Sequence, residues 1–435
     1  MLNRRNFIQK LGGATGALAF APFLSSGLIA SLEAAQKRLA VMSPEACAKD
    51  EDFWGLIRQA YSVSPTPMNL NNGGVSPQPR VVQEAFEHYN QMCNQGPSYY
   101  MWKILDLGRE PLRDDLANMA GCSSEEIAIN RNASEALETI IFGLRLKKGD
   151  EVVLSKQGYP NMKNAWRQRE KREGIVLKWL DFDLPMENDD FIVGQYEKAF
   201  SEKTKVVHLT HMISWTGQIM PAKKIVGAAR KRGIVSVVDA AHSFAHVDFK
   251  ISDIDPDYLG VSLHKWLCAP FGTGMLYVKK SNIKNLWPLF AVEDPEKDDI
   301  RKFESLGTRS FAAEHAIAQA INFHEYIGAK RKEARLFYLK NYWAAKAQKE
   351  VPGIRFHTSL KPEYSCGICT VSIDGMDVQD VANFLFRSKY KIHTGIIKLK
   401  KIRGLRISPH VYTLEKDLDK LVNMMRTCAL SKKEE

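Results

Sequence analysis

The sequence predicts an α/β fold in which a large domain with a mostly parallel sheet precedes a smaller α+β C-terminal domain. From about residue 76 onward, short apolar runs alternate with stretches whose apolar residues have helical spacing. Strands and helices that alternate in this way form crossover units, which build parallel sheets covered by helices. The 435 residues include 45% hydrophobic and 26% charged side chains, which is typical of globular proteins and excludes disordered or collagen-like chains.

The elements of the large domain follow one another in a regular order. Helical spacing predicts five helices, at residues 79–89, 110–120, 135–146, 162–173 and 222–231. Short apolar runs predict six strands, at residues 151–154, 175–179, 206–209, 234–238, 259–263 and 274–278. We expect this domain to occupy residues 76–315.

The C-terminal part predicts the smaller α+β domain at residues 316–435. A long helical stretch runs from about residue 316 to 345 and leads into an extended run at 364–373. A helix at 378–387, the extended pair Arg406-Ile407 and a helix at 414–429 complete the domain. The sequence contains no internal repeat and no long linker.

The N-terminus resembles a twin-arginine export signal. Arg4 and Arg5 precede an apolar, small-residue-rich run at 11–30, and small residues up to Ala35 offer a site for a signal peptidase. We therefore expect residues 1–35 to direct export through the twin-arginine machinery to the periplasm or beyond. The alternative is an uncleaved N-terminal membrane anchor.

The seven cysteines do not predict a disulfide framework, because their number is odd and most are dispersed. Cys366 and Cys369 have redox spacing but lie in the extended run, where residues three apart face opposite sides of a sheet. The sequence therefore predicts neither a redox pair nor a metal site.

Four segments at or near predicted strand ends carry candidate chemistry, because parallel sheets place ligands at the carboxyl ends of their strands. Asn132 and Ser134 open a helix whose free N–H groups form a seat for phosphate, although many helices begin this way without a ligand. Asp239 can pair with a cationic ring or simply cap a helix. Lys265 is a candidate nucleophile or a surface lysine. Arg406 binds a carboxylate or forms a structural ion pair.

Together these segments resemble the class V aminotransferases, a family of fold-type I pyridoxal-phosphate enzymes, from about Leu70 to Leu430. The most specific piece combines Asp239-Ala240-Ala241-His242 with the run at 262–274, which is similar to the isopenicillin-N epimerase branch. The resemblance implies a fold-type I architecture, pyridoxal phosphate as the cofactor, and a segment at 36–75 that contributes to the small domain and the substrate loop.

The resemblance also implies roles for individual residues. Lys265 matches the lysine that holds the cofactor covalently and shuttles the Cα proton, and Asp239 matches the partner of the pyridine nitrogen. His242 matches a position near the phenolic oxygen. The cofactor phosphate is assigned to the Ala133 backbone, Ser134, Ser262 and His264.

Further assignments rest on the same resemblance. Tyr159 falls where the family usually stacks a histidine on the cofactor ring, and a neutral phenol does not relay protons as histidine does at neutral pH. Ser214 falls near the phenolic oxygen. Gly307 and Thr308 match a segment that reaches the partner subunit's phosphate, which implies a homodimer with shared active sites. The substrate loop is assigned to Asn71 and Asn72.

The reaction is less determined than the cofactor. Cysteine desulfurases and related lyases need a mobile cysteine where this chain has Lys398, so they are disfavoured. Transamination needs only Lys265, whereas epimerisation also needs a proton donor on the opposite face of Cα. We expect an aminotransferase that acts on an amino acid or amine with a 2-oxo acid, and an epimerase as the alternative.

The formal charge of +11 adds little to this prediction. A cofactor-free binding protein on the same fold is disfavoured because Lys265 and Asp239 occur together. The basic run at 398–403 lacks interleaved aromatics, so no nucleic-acid partner is expected. This run is a solvated face or a guide for acidic substrates.

Overall fold

The computed structural model describes residues 34–35 and 37–431 of the chain. The export signal predicted at residues 1–35 lies outside the described residues, apart from Ala34 and Ala35. Within the described ranges, none of the helices has both the length and the apolar character needed to span a bilayer.

Helices surround two separate sheets. The α-helices are α1 (Pro44–Ala48), α2 (Glu51–Gln59), α3 (Arg80–Gln95), α4 (Pro97–Tyr99), α5 (Arg109–Ala120), α6 (Ala133–Gly143), α7 (Pro160–Glu173), α8 (Asp189–Ala199), α9 (Ala222–Arg230), α10 (Ile251–Ile254), α11 (Phe311–His315), α12 (Ile317–Ile327), α13 (Ala329–Glu350), α14 (Val378–Arg387) and α15 (Glu415–Ser431). A π-helix at Tyr100–Leu105 and short 3₁₀-helices at Asp106–Gly108, Ser124–Glu126, Lys280–Asn285 and Ile300–Glu304 join some of them.

A seven-stranded sheet forms the centre of the larger part of the molecule. Its strands are β1 (Ile127–Asn130), β2 (Glu151–Ser155), β3 (Val176–Leu180), β4 (Thr204–Thr210), β5 (Val235–Asp239), β6 (Tyr258–Ser262) and β7 (Gly274–Val278). Their order is β1-β7-β6-β5-β4-β2-β3. Strands β2 to β6 pair in parallel, whereas β7 is antiparallel to both β1 and β6. The mostly parallel α/β sheet predicted from the sequence is therefore confirmed.

Successive residues of the central strands pack into two different cores. On β2, Val153 belongs to one apolar cluster and its neighbours Val152 and Leu154 to another. On β5, Val238 and Val237 divide in the same way. Side chains alternate between the faces of a sheet, so this division shows helices covering both faces.

A smaller antiparallel sheet lies in the C-terminal part of the chain. Its strands are β8 (Ile354–Phe356), β9 (Cys369–Ile373), β10 (Gly395–Lys398) and β11 (Arg403–Ile407), in the order β10-β11-β9-β8. Leu70 joins this region from far away in sequence, because its N–H donates to the His393 carbonyl and its carbonyl accepts from the Ser408 N–H.

Several predicted elements differ from the structure. The single helix expected at 316–345 is two helices, α12 and α13, which separate at Gly328 where φ is 88°. The strand expected at 364–373 begins only at Cys369, so Cys366 lies outside it, and both thiols are buried and free. Strands β1, β8 and β10 and helix α8 were not predicted from the sequence. These strands have only three or four residues, too few to establish a periodicity.

Candidate active site

The residues singled out at the strand ends meet in one cavity of about 430 Å³. Asp239 is the last residue of β5 and Ser262 the last of β6, so neighbouring parallel strands deliver both to the same edge of the sheet. The described residues that line the cavity are Gly73, Gly74, Asn132, Ala133, Ser134, Leu137, Tyr159, Met162, Thr210, Met212, Ser214, Asp239, Ala241, His242, Ser262, His264, Lys265 and Arg406.

The N-terminus of α6 forms one end of the cavity. Asn132 caps this helix, since its side-chain oxygen accepts a hydrogen bond from the Glu135 N–H at 2.9 Å. The Ala133 N–H donates to the Ser262 hydroxyl at 3.0 Å, which joins the helix start to the end of β6. The positive end of the helix and nearby hydroxyl groups, including that of Ser134, make this end suitable for an anion.

Two glycines allow α6 to lie close against the sheet. A Cβ atom on Gly274 would lie only 2.5 Å from Asn132 Cα, and one on Gly260 would lie 2.6 Å from Leu137 Cγ. Because side chains at these positions would push the helix away, the glycines set the position of the anion-binding end.

Asp239 is a buried residue of the cavity lining, with only 5% of its surface exposed. Its carboxylate accepts a hydrogen bond from the Ala241 N–H at 3.0 Å. Burial raises the pKa of the carboxyl above its usual value, against the opposing effects of the Ala241 N–H and the Lys265 charge. A cationic ring nitrogen would offset this desolvation.

Lys265 and His242 form a direct pair. Lys265 Nζ lies 2.9 Å from His242 Nε2, within hydrogen-bonding distance. Burial lowers the pKa of the lysine to about 8, although Asp239 acts in the other direction, and burial lowers the pKa of His242 well below its usual value. The lysine thus has a larger neutral fraction near pH 8 than an exposed lysine, as a nucleophile or base requires.

Arg406 approaches the cavity from the small sheet. Its two Nη atoms donate to the Ser214 carbonyl and to Asn71 Oδ1, each at 2.9 Å. No carboxylate among the described residues forms an ion pair with Arg406, and Arg406 Nε is buried without a partner there. The guanidinium therefore keeps an uncompensated charge that suits a substrate carboxylate.

Tyr159 forms the wall that faces Lys265. It is the N-cap residue of α7, immediately before Pro160, and 42% of its surface is exposed. The centre of its ring lies 6.0 Å from Lys265 Nζ. The preceding loop is held by Gln157, whose amide donates to the Phe182 carbonyl and to Asp181.

Some predicted site residues lie elsewhere. Asn72 is fully buried and accepts a hydrogen bond from Tyr412 Oη at 2.7 Å while donating to the Ser408 carbonyl, which is a structural arrangement. Asn71 reaches the site only through Arg406. Gly307 and Thr308 are exposed and do not line this cavity, so their assignment to a partner's site stays a prediction.

Part of the lining was not predicted from the sequence. Thr210 ends β4 directly beside Asp239, and the register of the two strands pairs them. The position of Thr210 at a strand end was a usable signal. Met162 and Met212 gave no such signal, because apolar residues are common in any core.

The cavity fits pyridoxal phosphate. His242 Nδ1 and Arg406 Nε are buried polar atoms without partners among the described residues, which is costly unless a ligand binds them. An amine, an anion-binding helix end and a buried carboxylate line the same space. Lys265 would hold the cofactor covalently, Asp239 would meet its ring nitrogen, and Ala133, Ser134, Ser262 and His264 would hold its phosphate.

Comparison with known proteins identifies the family. The family model described as aminotransferase class V matches residues 68–421. Isopenicillin N epimerase from Streptomyces clavuligerus is 27% identical over 390 residues, which cover 86% of this chain and 97% of that protein. A probable cysteine desulfurase from Synechocystis sp. is 26% identical over 378 residues, which cover 82% of this chain and 88% of the relative.

A solved structure shares the fold. The structure of a C-DES mutant with glycine covalently linked to its PLP cofactor has a TM-score of 0.75, with 18% sequence identity. The match covers 85% of this chain and 98% of the other.

Proposed function

Because the chain belongs to the class V aminotransferase family and is a pyridoxal-phosphate enzyme, we propose that it acts on the Cα–H bond of an α-amino acid and inverts the configuration there. The single observation that carries the choice of an α-amino acid as substrate is that a base and a carboxylate receptor share one cavity. Lys265 supplies the base and Arg406 the receptor, and both line the space in front of Asp239.

Each residue around the cavity has a separate role in the proposed reaction. Bound pyridoxal phosphate supplies an electron-withdrawing ring that takes up the electron pair left on Cα when its proton is removed. Asp239 keeps the ring nitrogen protonated, Arg406 orients the substrate through its carboxylate, and Lys265 accepts the Cα proton. His242 holds the lysine amine at 2.9 Å, which limits where the proton can be taken.

Epimerisation is favoured over sulfur chemistry because no thiol lines the cavity in the described part of the chain. Burial raises the pKa values of Cys268, Cys366 and Cys369, so all three are poor nucleophiles. Lys398, which stands where desulfurases place their cysteine, is exposed and donates to Gln379 at 3.1 Å. The similarity to isopenicillin N epimerases supports the same choice.

Transamination stays a second prediction, because it uses the same Lys265 and Arg406. The test is to incubate the purified holoenzyme with L- and D-amino acids in deuterium oxide, with and without a 2-oxo acid. An epimerase produces the opposite stereoisomer with deuterium at Cα without any 2-oxo acid. An aminotransferase instead requires the 2-oxo acid and forms a new amino acid from it. Unlabelled, unchanged amino acids across the panel would refute both.

We also propose a homodimer. Trp102 and Leu107 are 51% and 75% exposed, and they flank Asp106, which forms an ion pair with Arg309 next to the exposed Thr308. Covering this apolar surface with a second chain would place Thr308 near the partner. Leu107→Glu should give a single-chain mass by light scattering, whereas Val41→Glu, at an even more exposed valine elsewhere, should not. A wild-type protein with the mass of one chain would refute the dimer.

Export by the twin-arginine route remains a proposal from the sequence. Arg4→Lys together with Arg5→Lys should leave the protein in the cytoplasm, and unchanged export would refute this route. Ala35 is only 6% exposed and Leu39 packs in the main core, so a cut directly after Ala35 would fall next to packed residues. We therefore expect N-terminal sequencing of the exported protein to show no new terminus at residue 36.

A further inference from the structure

The cavity has two chemically different walls. Lys265 approaches from one side, and the Tyr159 ring lies on the other with its centre 6.0 Å from the lysine nitrogen. Flat groups contact an aromatic face at about 3.5–4.0 Å, so a flat group bound against Tyr159 has Lys265 on its other face. Reacting atoms held in that plane are accessible to Lys265 from one side and to Tyr159 from the other.

Two other titratable groups lie near the sheet. His242 Nε2 is only 2.9 Å from Lys265 Nζ. Asp239 is buried at the end of β5 and accepts from the Ala241 N–H. Neither group belongs to the wall formed by Tyr159.

The remaining two titratable groups of the lining have other tasks. His264 is held at the anion-binding end, where Nδ1 donates to the Thr273 carbonyl at 3.0 Å. Arg406 stays protonated at any physiological pH and binds Ser214 and Asn71. Serine and threonine hydroxyls are much weaker acids than a phenol. Tyr159 is therefore the acid that faces Lys265 in the described lining, and it need only donate a proton to a strongly basic Cα, not relay protons as histidine does.

We propose that Tyr159 is the second acid–base residue of the reaction and donates the proton that inverts Cα. The inference rests on the proposed epimerase function and names the proton donor that inversion requires. Lys265 takes the proton from one face of Cα, and the Tyr159 hydroxyl gives a proton to the other face. The electron pair of the broken C–H bond becomes that of the new C–H bond, which leaves an ammonium on Lys265 and a phenolate on Tyr159.

Proton exchange with solvent returns Tyr159 and Lys265 to their starting protonation states. Tyr159 is 42% exposed, so water can return a proton to the phenolate. The Lys265 pKa of about 8 lets the ammonium lose its proton near neutral or mildly basic pH. In the reverse direction the phenolate accepts the proton and the Lys265 ammonium donates one, so the same pair serves both stereoisomers.

The first test incubates the wild-type holoenzyme with one stereoisomer in deuterium oxide and stops the reaction at low conversion. Deuterium at Cα is then measured in the product and in the recovered starting amino acid. With two residues on opposite faces, the product carries solvent deuterium while the recovered starting amino acid remains unlabelled. A single base serving both faces would instead return the substrate's own proton to part of the product. That second pattern would overturn the role of Tyr159.

The second test uses Tyr159→Phe, which keeps the ring and removes the acid. Inversion should fall by about 10²- to 10⁴-fold, the usual contribution of general acid–base catalysis. Solvent deuterium should instead appear in the recovered starting stereoisomer, because Lys265 alone remains to return a proton to Cα. Tyr390→Phe is the matched control, since it removes the same hydroxyl from a partly buried tyrosine that does not line the cavity.

Cofactor binding provides a readout independent of turnover. The apoprotein of Tyr159→Phe should take up pyridoxal phosphate with wild-type affinity in a spectroscopic titration, because the ring is kept. If this variant does not fold, Tyr159→His supplies an alternative donor and should retain part of the inversion. Inversion at the wild-type rate in Tyr159→Phe would overturn the inference, whereas a wild-type enzyme that inverts no amino acid would refute the proposed function itself.

Discussion

Replacing Arg406 tests whether the guanidinium binds substrate or only stabilises the fold. A structural ion pair would lose about 3–5 kcal/mol when one partner is removed. Arg406 has no such partner among the described residues; it donates only to two neutral acceptors, the Ser214 carbonyl and Asn71 Oδ1. Removing it loses these bonds but also a desolvated charge, so we expect the free energy of unfolding to change by no more than about 1 kcal/mol.

The expected effect on turnover is much larger. A charge-assisted hydrogen-bonded pair with a carboxylate is worth roughly 1.5–3 kcal/mol. At 1.36 kcal/mol per factor of ten, this corresponds to a loss of about 10- to 150-fold in kcat/KM for α-amino acids. Amines that lack the carboxylate make no such contact, so Arg406→Ala should leave the exchange of their α-protons unchanged.

The assay compares α-proton exchange of amino acids and of matching amines by NMR, together with the cofactor trapped by borohydride. Arg403→Ala is the matched control, because Arg403 lies on the same strand, is exposed, and forms only a 3.6 Å ion pair with Asp377. Equal losses for amino acids and amines, or failure of Arg406→Ala to bind the cofactor, would refute substrate binding by Arg406.

Three further predictions concern the cofactor site. Uptake of pyridoxal phosphate by the apoprotein, trapped on Lys265 by borohydride and mass spectrometry, should accelerate as pH rises to about 8 and then level off, because the neutral amine is the nucleophile; a rate still rising toward about pH 10 would contradict the lowered pKa. Asp239→Asn should keep the cofactor attached yet lower the exchange rate by about 10²-fold, since an electrostatic stabiliser is lost; a variant at the wild-type rate would contradict this role. Gly274→Ala should lower the free energy of unfolding by about 1–3 kcal/mol and weaken cofactor binding, because its Cβ would meet Asn132 at 2.5 Å. Gly227→Ala, which meets nothing within 4 Å, should stabilise its helix by up to about 1 kcal/mol instead.

The local hydrophobic pattern was sufficient to predict the strands of the large domain whose ends carry the site residues. The apolar runs that end at Asp239 and just before Lys265 identify strand ends, because a buried strand ends where polar residues begin. Parallel pairing then brings such ends to one edge of a sheet. With the help of the family resemblance, the sequence therefore predicted the cofactor and proposed Lys265 and Asp239 as residues that bind it.

Short and interrupted elements escaped the same analysis. Strand β1 has four residues, and Gly328 divides a helical pattern that otherwise continues through α12 and α13. Asn72 was assigned to substrate because of its motif, yet its amide is used by Ser408 and Tyr412. Local periodicity does not reveal which long-range partner satisfies a buried amide.

The sequence by itself determined the fold class and the cofactor and singled out Lys265 and Asp239 as candidates, because these depend on the order and period of residues near each other in the chain. Only the tertiary structure decided what surrounds them. Arg406 is 335 residues from Asn71 and 192 from Ser214 in sequence. These residues meet only because the small sheet lies beside the cavity at the strand ends of the large sheet. Likewise, Tyr159 faces Lys265 only through the packing of α7 beside the sheet. Packing free energy sets such distances, and it depends on the whole chain rather than on any one segment.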